Sequence, residues 1–234
     1  MKHIDVCLTP DLLHLHTIEN TIVVVTDVFR ATSCMVTAFA HGVKSIIPVA
    51  TIDECQQWQE RGYLAAAERN AKRVEGFELD NSPFTYMTDR IRGANVAMTT
   101  TNGTLAITKS RGGVKVLVGA FLNLEAIANY LKTEPYDVLV LCAGWKGRVN
   151  MEDTLFAGAL IDRLKTSYAL AEDSAIIAHR LYCDGKDNLI NYMANASHIQ
   201  RLQRLGIQKD ITYCLQHDLY DVVPVLRGNA LVAM

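Results

Sequence analysis

The chain has 234 residues, of which 50% are hydrophobic and 21% charged, a composition typical of a globular protein with a substantial core. Its formal net charge of −2 argues against a general affinity for nucleic acid or anionic membranes, so any basic site must be local. Six cysteines are scattered without Cys-x-x-Cys spacing, which favours reduced thiols over a disulfide framework or a zinc knuckle.

Short β-branched runs alternate with helical patterns along the first 164 residues. In chain order the predicted strands are Ile22–Thr26, Val43–Val49, Leu64–Ala67, Asn95–Met98, Val114–Val118 and Val138–Cys142. The predicted helices are Ala31–His41, Thr51–Arg61, Thr104–Ser110, Leu124–Lys132 and Met151–Leu164. This alternation predicts a three-layer α/β fold, with a largely parallel or mixed sheet and helices on both faces. After residue 170 the pattern is mostly helical, with a short strand near Val222–Leu226.

Local signals mark some boundaries of these elements. Gly42 follows the first predicted helix as a C-terminal stop, and Thr51 with Glu54 has the spacing of a capping box. Residues 69–83 are predicted to form a long charged loop, and loops of that length inside a compact domain are often functional. We expect one α/β domain over residues 1–234, with its catalytic motifs within residues 20–165.

A polar cluster directly follows each of four predicted strands. The clusters are Thr26–Thr32, Glu68–Asn70, Thr99–Thr104 and Ala143–Arg148. Ligands of α/β sheets bind outside the carboxyl ends of the strands, so neighbouring strands would bring these clusters together. Acids beside arginines and glycine-containing turns indicate a divalent metal and a phosphate-like anion.

Asp27 and Glu68 are the strongest candidates for metal ligands. Mg²⁺ prefers hard oxygen ligands and usually takes only one or two carboxylates, with water and phosphate oxygens completing its shell. Alternatively, each acid caps its strand or pairs with the neighbouring arginine, Arg30 or Arg69. Their corresponding positions at two strand ends favour the metal site.

Two segments are candidates for binding an anion. One opens a predicted helix and comprises Thr101, Asn102, Gly103 and Thr104. Glycine allows close approach to the backbone, and the free N–H groups of a first helical turn bind phosphate-like oxygens. An ordinary Asn-Gly turn with a threonine cap is the alternative. In the second segment, Arg30 to Thr32, the arginine could grip paired oxygens in a bidentate manner.

Glu152 and Asp153 fall in the first turn of the helix predicted to begin at Met151. The simple explanation is Asn150 as N-cap, followed by acids that the helix dipole favours. A functional role would depend on their proximity to Gly147 and Arg148 just upstream.

Cys142 and Arg148 have the C-x5-R spacing of cysteine-dependent phosphatases, in which a thiolate attacks phosphorus. Val149 replaces the hydroxyl residue that usually follows the arginine, and bulky Trp145 disfavours a tight amide cradle. We interpret Cys142 as the buried last residue of a strand.

Taken together, these clusters resemble the 2-phosphosulfolactate phosphatase family. The matching stretches are Asp27–Thr32, Glu68–Asn70, Gly76–Pro83, Thr99–Thr104 and Cys142–Asp153. They fall in the family's order and spacing over about residues 20–165. Ala71 and Asp80 stand where the family more often has glycine, which bears on substrate specificity.

The resemblance implies a Mg²⁺-dependent hydrolase that converts (R)-2-phospho-3-sulfolactate to 3-sulfolactate and phosphate in a route to coenzyme M. We expect Asp27, Glu68 and Asp153 to be catalytic, and the metal to be held by Asp27, Glu68, Glu152 and Asp153. The expected contacts to this small, multiply anionic phosphoester are Arg30, Thr32, Arg69, Thr101, Asn102, Gly103, Thr104, Lys146 and Arg148.

A non-catalytic module that binds a phosphorylated metabolite is an alternative of another class. A pure anion receptor gains nothing from carboxylates unless a cation accompanies its ligand, so the enzyme is favoured. The N-terminus lacks the apolar region of a signal peptide, and no apolar run reaches the roughly 18 residues of a membrane span. We expect a cytoplasmic protein without nucleic-acid or membrane partners, which could form a homo-oligomer.

Overall fold

The structure, a computed structural model, describes residues 1–69 and 72–234, apart from the side chains of Arg69 and Lys72. Its strands are β1 Lys2–Cys7, β2 Thr21–Thr26, β3 Ser45–Pro48, β4 Leu64–Arg69, β5 Lys72–Arg73, β6 Asn95–Thr99, β7 Lys115–Gly119, β8 Asp137–Cys142, β9 Tyr168–Leu170, β10 Pro224–Arg227 and β11 Ala230–Ala233. Its α-helices are α1 Ala31–Ala40, α2 Ile52–Glu60, α3 Gly103–Lys109, α4 Leu124–Thr133, α5 Met151–Leu164, α6 Asp173–Gly185, α7 Leu189–Tyr192, α8 Ser197–Arg204 and α9 Gln208–Cys214.

The strands form one mixed sheet in the order β5-β4-β6-β3-β11-β10-β7-β2-β8-β1-β9. Strands β7, β2, β8, β1 and β9 make one parallel block, and β3, β6 and β4 make another. The antiparallel hairpin of β10 and β11 joins the blocks, pairing with β7 on one side and β3 on the other. The predicted three-layer α/β fold, with a mostly helical portion after residue 170, is confirmed.

The core is densest around β2, whose apolar run predicted a strand covered on both faces. Its residues Ile22 to Val25 are fully buried between β7 and β8. Helix α1 is also enclosed, and its residues Ala31 to Phe39 are all buried. These two elements give the segment between them, residues 27–30, a rigid frame.

The predicted local signals are present, although the Glu54 carboxylate bonds the N–H of the residue before the N-cap rather than that of Thr51 itself. The Thr51 hydroxyl accepts the backbone N–H of Glu54 at 3.1 Å, and the Glu54 carboxylate accepts that of Ala50 at 2.9 Å. Gly42 ends the first helix with φ +91°, a conformation that favours glycine. Over the described ranges 1–69 and 72–234, the helices are too short or too polar to cross a membrane.

The four polar clusters do not follow four neighbouring strands. β2 lies beside β8, and β4 lies beside β6, but β3, β11, β10 and β7 separate the two pairs. The expectation that adjacency alone would bring the clusters together is therefore incomplete. The segment after β6 still reaches the end of β2, because Gly103 packs directly against Asp27 and Ala31.

Candidate active site

A polar cavity lies where the end of β4 and the loops after β2, β6 and β8 meet α8. Its lining residues are Asp27, Phe29, Arg30, Glu68, Asn81, Thr100, Thr101, Asn102, Trp145, His198, Arg201 and Leu202. Five of these were predicted from the sequence: Asp27, Arg30, Glu68, Thr101 and Asn102. The two predicted carboxylates thus face one space together with a predicted arginine.

Asp27 is buried and its backbone is fixed from both sides. Its N–H donates to the Thr32 hydroxyl at 3.0 Å, and its carbonyl accepts the Thr32 N–H at 3.0 Å. Thr32 is fully buried and does not line the cavity. It was predicted to contact substrate, but the structure places it where it holds the β2–α1 turn.

Gly103 permits the closest approach in the site. A Cβ atom at this position would lie 2.9 Å from Asp27 Oδ2 and 2.7 Å from the Ala31 Cβ. The Gly103 N–H donates a hydrogen bond to the Asp27 carboxylate. The sequence predicted that the first turn of α3 binds an anionic ligand. In the structure, a backbone N–H of that turn binds the carboxylate of Asp27 instead.

The other threonines of this segment divide into two roles. The Thr104 hydroxyl donates to the Thr100 carbonyl at 3.0 Å, while the Thr104 N–H donates to the Thr100 hydroxyl at 3.2 Å. These bonds keep Thr104 buried and hold the turn closed. Thr101 is exposed and lines the cavity, as does Asn102.

Several acids act on one another around Asp27. The pKa of Asp27 is raised to about 6, above all by burial and also by the neighbouring charges of Glu152 and Glu68. The charge of His198 and the Gly103 N–H act in the opposite direction. A buried carboxylate beside two others is unfavourable without a compensating cation.

Asp153 is fully buried, and both its carboxylate oxygens accept backbone N–H groups. Oδ1 accepts from Val28 at 2.9 Å, and Oδ2 accepts from Gly144 at 3.0 Å. Burial and the charges of Glu152 and Asp27 raise the pKa of Asp153 well above its ordinary value. This side chain ties the ends of β2 and β8 to the start of α5, and it does not line the cavity.

Glu152 contacts a residue that the sequence patterns did not identify. Its Oε1 lies 2.5 Å from Nδ1 of His198, a cavity residue on α8. Its Oε2 is buried and has no hydrogen-bond partner among the described residues. No sequence signal could have linked the two, because 46 residues separate them.

The start of α5 differs in one detail from its prediction. Asn150 occupies the N-cap position, but its side chain makes no capping hydrogen bond. Its carbonyl oxygen instead accepts the N–H of Thr154 at 3.3 Å and the Thr154 hydroxyl at 2.8 Å.

Arg30 forms a buried ion pair with Asp210 of α9 rather than with the adjacent Asp27. The ion pair holds the guanidinium at the cavity wall and supplies its counter-charge. Asp210 lies 180 residues away in the chain, which explains why sequence reasoning missed it.

Trp145 lines the cavity, and two cations lie against its ring. Its ring stacks on His198 with a centroid separation of 6.4 Å and an interplanar angle of 17°. The Arg201 guanidinium and the Lys146 ammonium each lie 5.0 Å from the Trp145 ring centre. Arg201 lines the cavity, whereas Lys146 is exposed and outside it.

The remaining predicted cations are placed differently. The Lys146 backbone N–H donates to Asn102 Oδ1 at 3.3 Å and thereby connects the loops after β8 and β6. Arg148 is exposed and does not line the cavity. The Arg69 side chain and all of Asn70 lie outside the described residues.

Cys142 does not fit the role of a nucleophile. It is fully buried in the core, and burial raises the pKa of its thiol well above the ordinary value. A reactive cysteine needs a depressed pKa and access to substrate. Cys142 instead ends β8 as a packed side chain.

The arrangement of the four acids predicted as metal ligands fits a magnesium site only in part. Asp27, Glu68, Glu152 and Asp153 do not bring three donor atoms within 4.8 Å of one another in the described part of the chain. Mg²⁺ needs only one or two carboxylates, however, and Asp27 and Glu68 share the cavity. The unpartnered Glu152 Oε2 adds a further buried negative atom near Asp27.

Comparisons with known proteins agree on one family. The model of the 2-phosphosulpholactate phosphatase family matches residues 7–229. A protein of Thermotoga maritima named probable 2-phosphosulfolactate phosphatase is 40% identical over 215 residues, covering 92% of this chain and 93% of its own. Proteins with the same name are 37% identical in Caldanaerobacter subterraneus, over 88% of both chains, and 35% identical in Clostridium beijerinckii, over 97% and 98%.

Proposed function

Because the chain belongs to the 2-phosphosulpholactate phosphatase family, a family of phosphoric monoester hydrolases, we propose that it is a Mg²⁺-dependent 2-phosphosulfolactate phosphatase. The reaction would convert (R)-2-phospho-3-sulfolactate to 3-sulfolactate and phosphate, as in a route to coenzyme M. One observation supports the chemistry above all others. The buried carboxylate Asp27, beside Glu152 and Glu68, borders a cavity that also contains arginines.

Asp27 and Glu68 are the proposed metal ligands. The buried Glu152 contributes a further negative charge that acts on Asp27. When bound there, Mg²⁺ would neutralise phosphoryl oxygens and stabilise the departing alkoxide. Asp153 is assigned a positioning role, since both its oxygens are occupied by backbone N–H groups. It keeps the β2 end, which carries Asp27, in register with the loop after β8.

Two arginines are proposed to recognise the substrate's anionic groups. Phosphate, carboxylate and sulfonate all present paired oxygens that a planar guanidinium can bind in a bidentate manner. Arg30, oriented by Asp210, lies beside Asp27 in sequence and is assigned to the phosphoryl group. Arg201, supported by Trp145, is assigned to a group at the other end of the three-carbon skeleton.

His198 is proposed to donate the proton that the leaving oxygen requires. It lines the cavity, and the hydrogen bond that Nδ1 donates to the Glu152 carboxylate fixes the orientation of the ring. General acid catalysis by a positioned histidine contributes typically 10²–10⁴-fold to a rate. The six free cysteines suit a reducing cytoplasm, where we expect the enzyme to act.

The proposal is tested by phosphate release from 2-phospho-3-sulfolactate and from other small phosphoesters, with Mg²⁺ and with EDTA. We expect Mg²⁺-dependent turnover that is fastest with the sulfonated substrate and lost in Asp27→Asn. Cys142→Ser should remain active, which distinguishes this mechanism from a thiolate nucleophile.

Two results would contradict the proposal. Activity that resists EDTA but disappears in Cys142→Ser would indicate a cysteine mechanism. Ligand-induced thermal stabilisation without any phosphate release would indicate a binding module.

A further inference from the structure

Helices α5 and α6 approach each other closely away from the catalytic cavity. A Cβ atom on Gly158 of α5 would lie only 2.0 Å from the Ala178 carbonyl oxygen of α6 and 2.7 Å from the Tyr182 Cβ. The glycine therefore lets the backbone of one helix lie against the other. Side chains one turn along each helix are brought together by this contact.

Three side chains with metal-binding atoms meet beside this contact. Asp162 lies four residues after Gly158, while His179 and Cys183 lie four residues apart on α6, so each pair shares a helix face. His179 Nε2 is 3.1 Å from Asp162 Oδ1 and 3.5 Å from Cys183 Sγ. All three donor atoms lie within 4.8 Å of one another, and all three residues are half-buried.

This arrangement is not a proton relay. Asp162 and Cys183 both approach the same ring nitrogen of His179, whereas a relay uses the two nitrogens separately. Bonds of about 2.0–2.3 Å to a tetrahedral ion would separate neighbouring donors by roughly 3.3–3.8 Å. The two short separations in the cluster are close to that range.

We propose that Asp162, His179 and Cys183 form a binding site for a divalent cation of the Zn²⁺ class, which links α5 to α6. Thiolate and imidazole select a borderline metal such as Zn²⁺ or Co²⁺ over Mg²⁺, which prefers oxygen ligands. Three protein ligands leave the fourth position to water. The site is separate from the catalytic acids, since Asp162 lies nine residues beyond Asp153, about 13 Å along the helix.

Lys165 is the competitor for this site. Its ammonium lies 3.0 Å from Asp162 Oδ1, three residues further along the chain at the C-terminal end of α5. The lysine side chain is 59% exposed, so a metal can displace it into water at little cost. Replacing Lys165 with Met should therefore strengthen metal binding.

The test is a titration of chelator-stripped, reduced full-length protein with Co²⁺ in excess Mg²⁺. We expect one equivalent to bind, with the near-ultraviolet band of a cobalt–thiolate bond, and Zn²⁺ to abolish the band by displacement. Cys183→Ser should lose the band, and His179→Gln should weaken Co²⁺ binding at least tenfold. Both variants should keep their phosphatase activity and their circular dichroism spectrum.

His16→Gln is a matched control, because His16 and Asp5 make a similar 3.1 Å contact without a cysteine. It should bind Co²⁺ as the wild type does. No cobalt–thiolate band in the wild type, or a band that persists in Cys183→Ser, would overturn the proposal. If Cys183→Ser fails to fold, Asp162→Asn takes its place, with an expected tenfold or greater loss of affinity and unchanged binding as the overturning result.

Discussion

Asp27 is held in surroundings that oppose its own charge. Its pKa of about 6 in the folded protein lies above its ordinary value of 3.8, so burial favours the protonated form. The resulting contribution to stability is fully present below pH 3.8 and is lost as the pH rises through 6. In the metal-free protein, ionisation of the Asp27 carboxyl lowers the free energy of unfolding by about 3 kcal/mol, which corresponds to a pKa shift of about two units.

We therefore predict that Asp27→Asn stabilises the metal-free protein at pH 8 while it abolishes turnover. The expected gain is about 1–3 kcal/mol in the free energy of unfolding, and it should shrink towards pH 4. Urea unfolding in EDTA at both pH values measures it. Equal stabilities of the two proteins at pH 8 would show that the ionised Asp27 carboxylate does not destabilise the metal-free protein.

Gly103 is a second residue at which a small substitution should disturb the site, because there is no room for a Cβ atom. We predict that Gly103→Ala lowers kcat at least tenfold and costs about 1–3 kcal/mol, because the added methyl group meets Asp27 Oδ2 and the Ala31 Cβ. Phosphate-release kinetics and thermal unfolding measure the two effects. Gly112→Ala is the control, since its methyl group meets only the flexible Ile18 side chain at 3.1 Å and should leave kcat unchanged.

At the scale of elements, strands and C-terminal helices supply different parts of the site. The carboxyl ends of β2 and β4 carry Asp27 and Glu68, while α8 and α9 carry His198, Arg201 and Asp210. We therefore expect α8 to contribute substrate binding and proton donation, and the strand ends to contribute the proposed metal ligands.

We predict that Arg201→Gln raises KM more than tenfold and changes kcat less than threefold, because it removes a cation that lines the cavity and is proposed to bind the substrate rather than to act on the phosphoryl group. Arg204→Gln is the matched control on the same helix, since Arg204 is exposed and does not line the cavity. A fall in kcat with unchanged KM would instead place Arg201 in the chemical step.

The sequence predicted the elements whose pattern is strong and local. The apolar run of β2 and the stop at Gly42 were predicted correctly, whereas β1 was missed because polar His3 and Asp5 interrupt it. Asp27 and Glu68 were found because polar residues after apolar runs are a local signal. His198 was not found, since its pairing with a residue 46 positions away leaves no mark on either segment.

At the scale of the whole molecule, the β10–β11 hairpin connects two parallel blocks that would otherwise share no strand pairing among the described residues. Val225 pairs with Leu117 of one block, and Leu231 pairs with Ile46 of the other. The cavity draws Asp27 from the first block and Glu68 from the second, so its geometry requires that the blocks fold as one unit.

Trp58 lies on α2, which packs on β4 and β6, and Trp145 follows β8, so each of the two tryptophans reports on one block. We predict that Trp58→Phe and Trp145→Phe proteins show fluorescence transitions that coincide with their own circular dichroism transitions in urea. Leu231→Ala should lower the free energy of unfolding by about 2–4 kcal/mol and move the fluorescence and circular dichroism midpoints together to lower urea concentrations, because it empties a fully buried position at the junction. Leu226→Ala, at the half-buried partner position, should cost less. Fluorescence transitions that separate from the circular dichroism transitions would mean that the blocks unfold independently, and a catalytic site shared between them would then lose its structural basis.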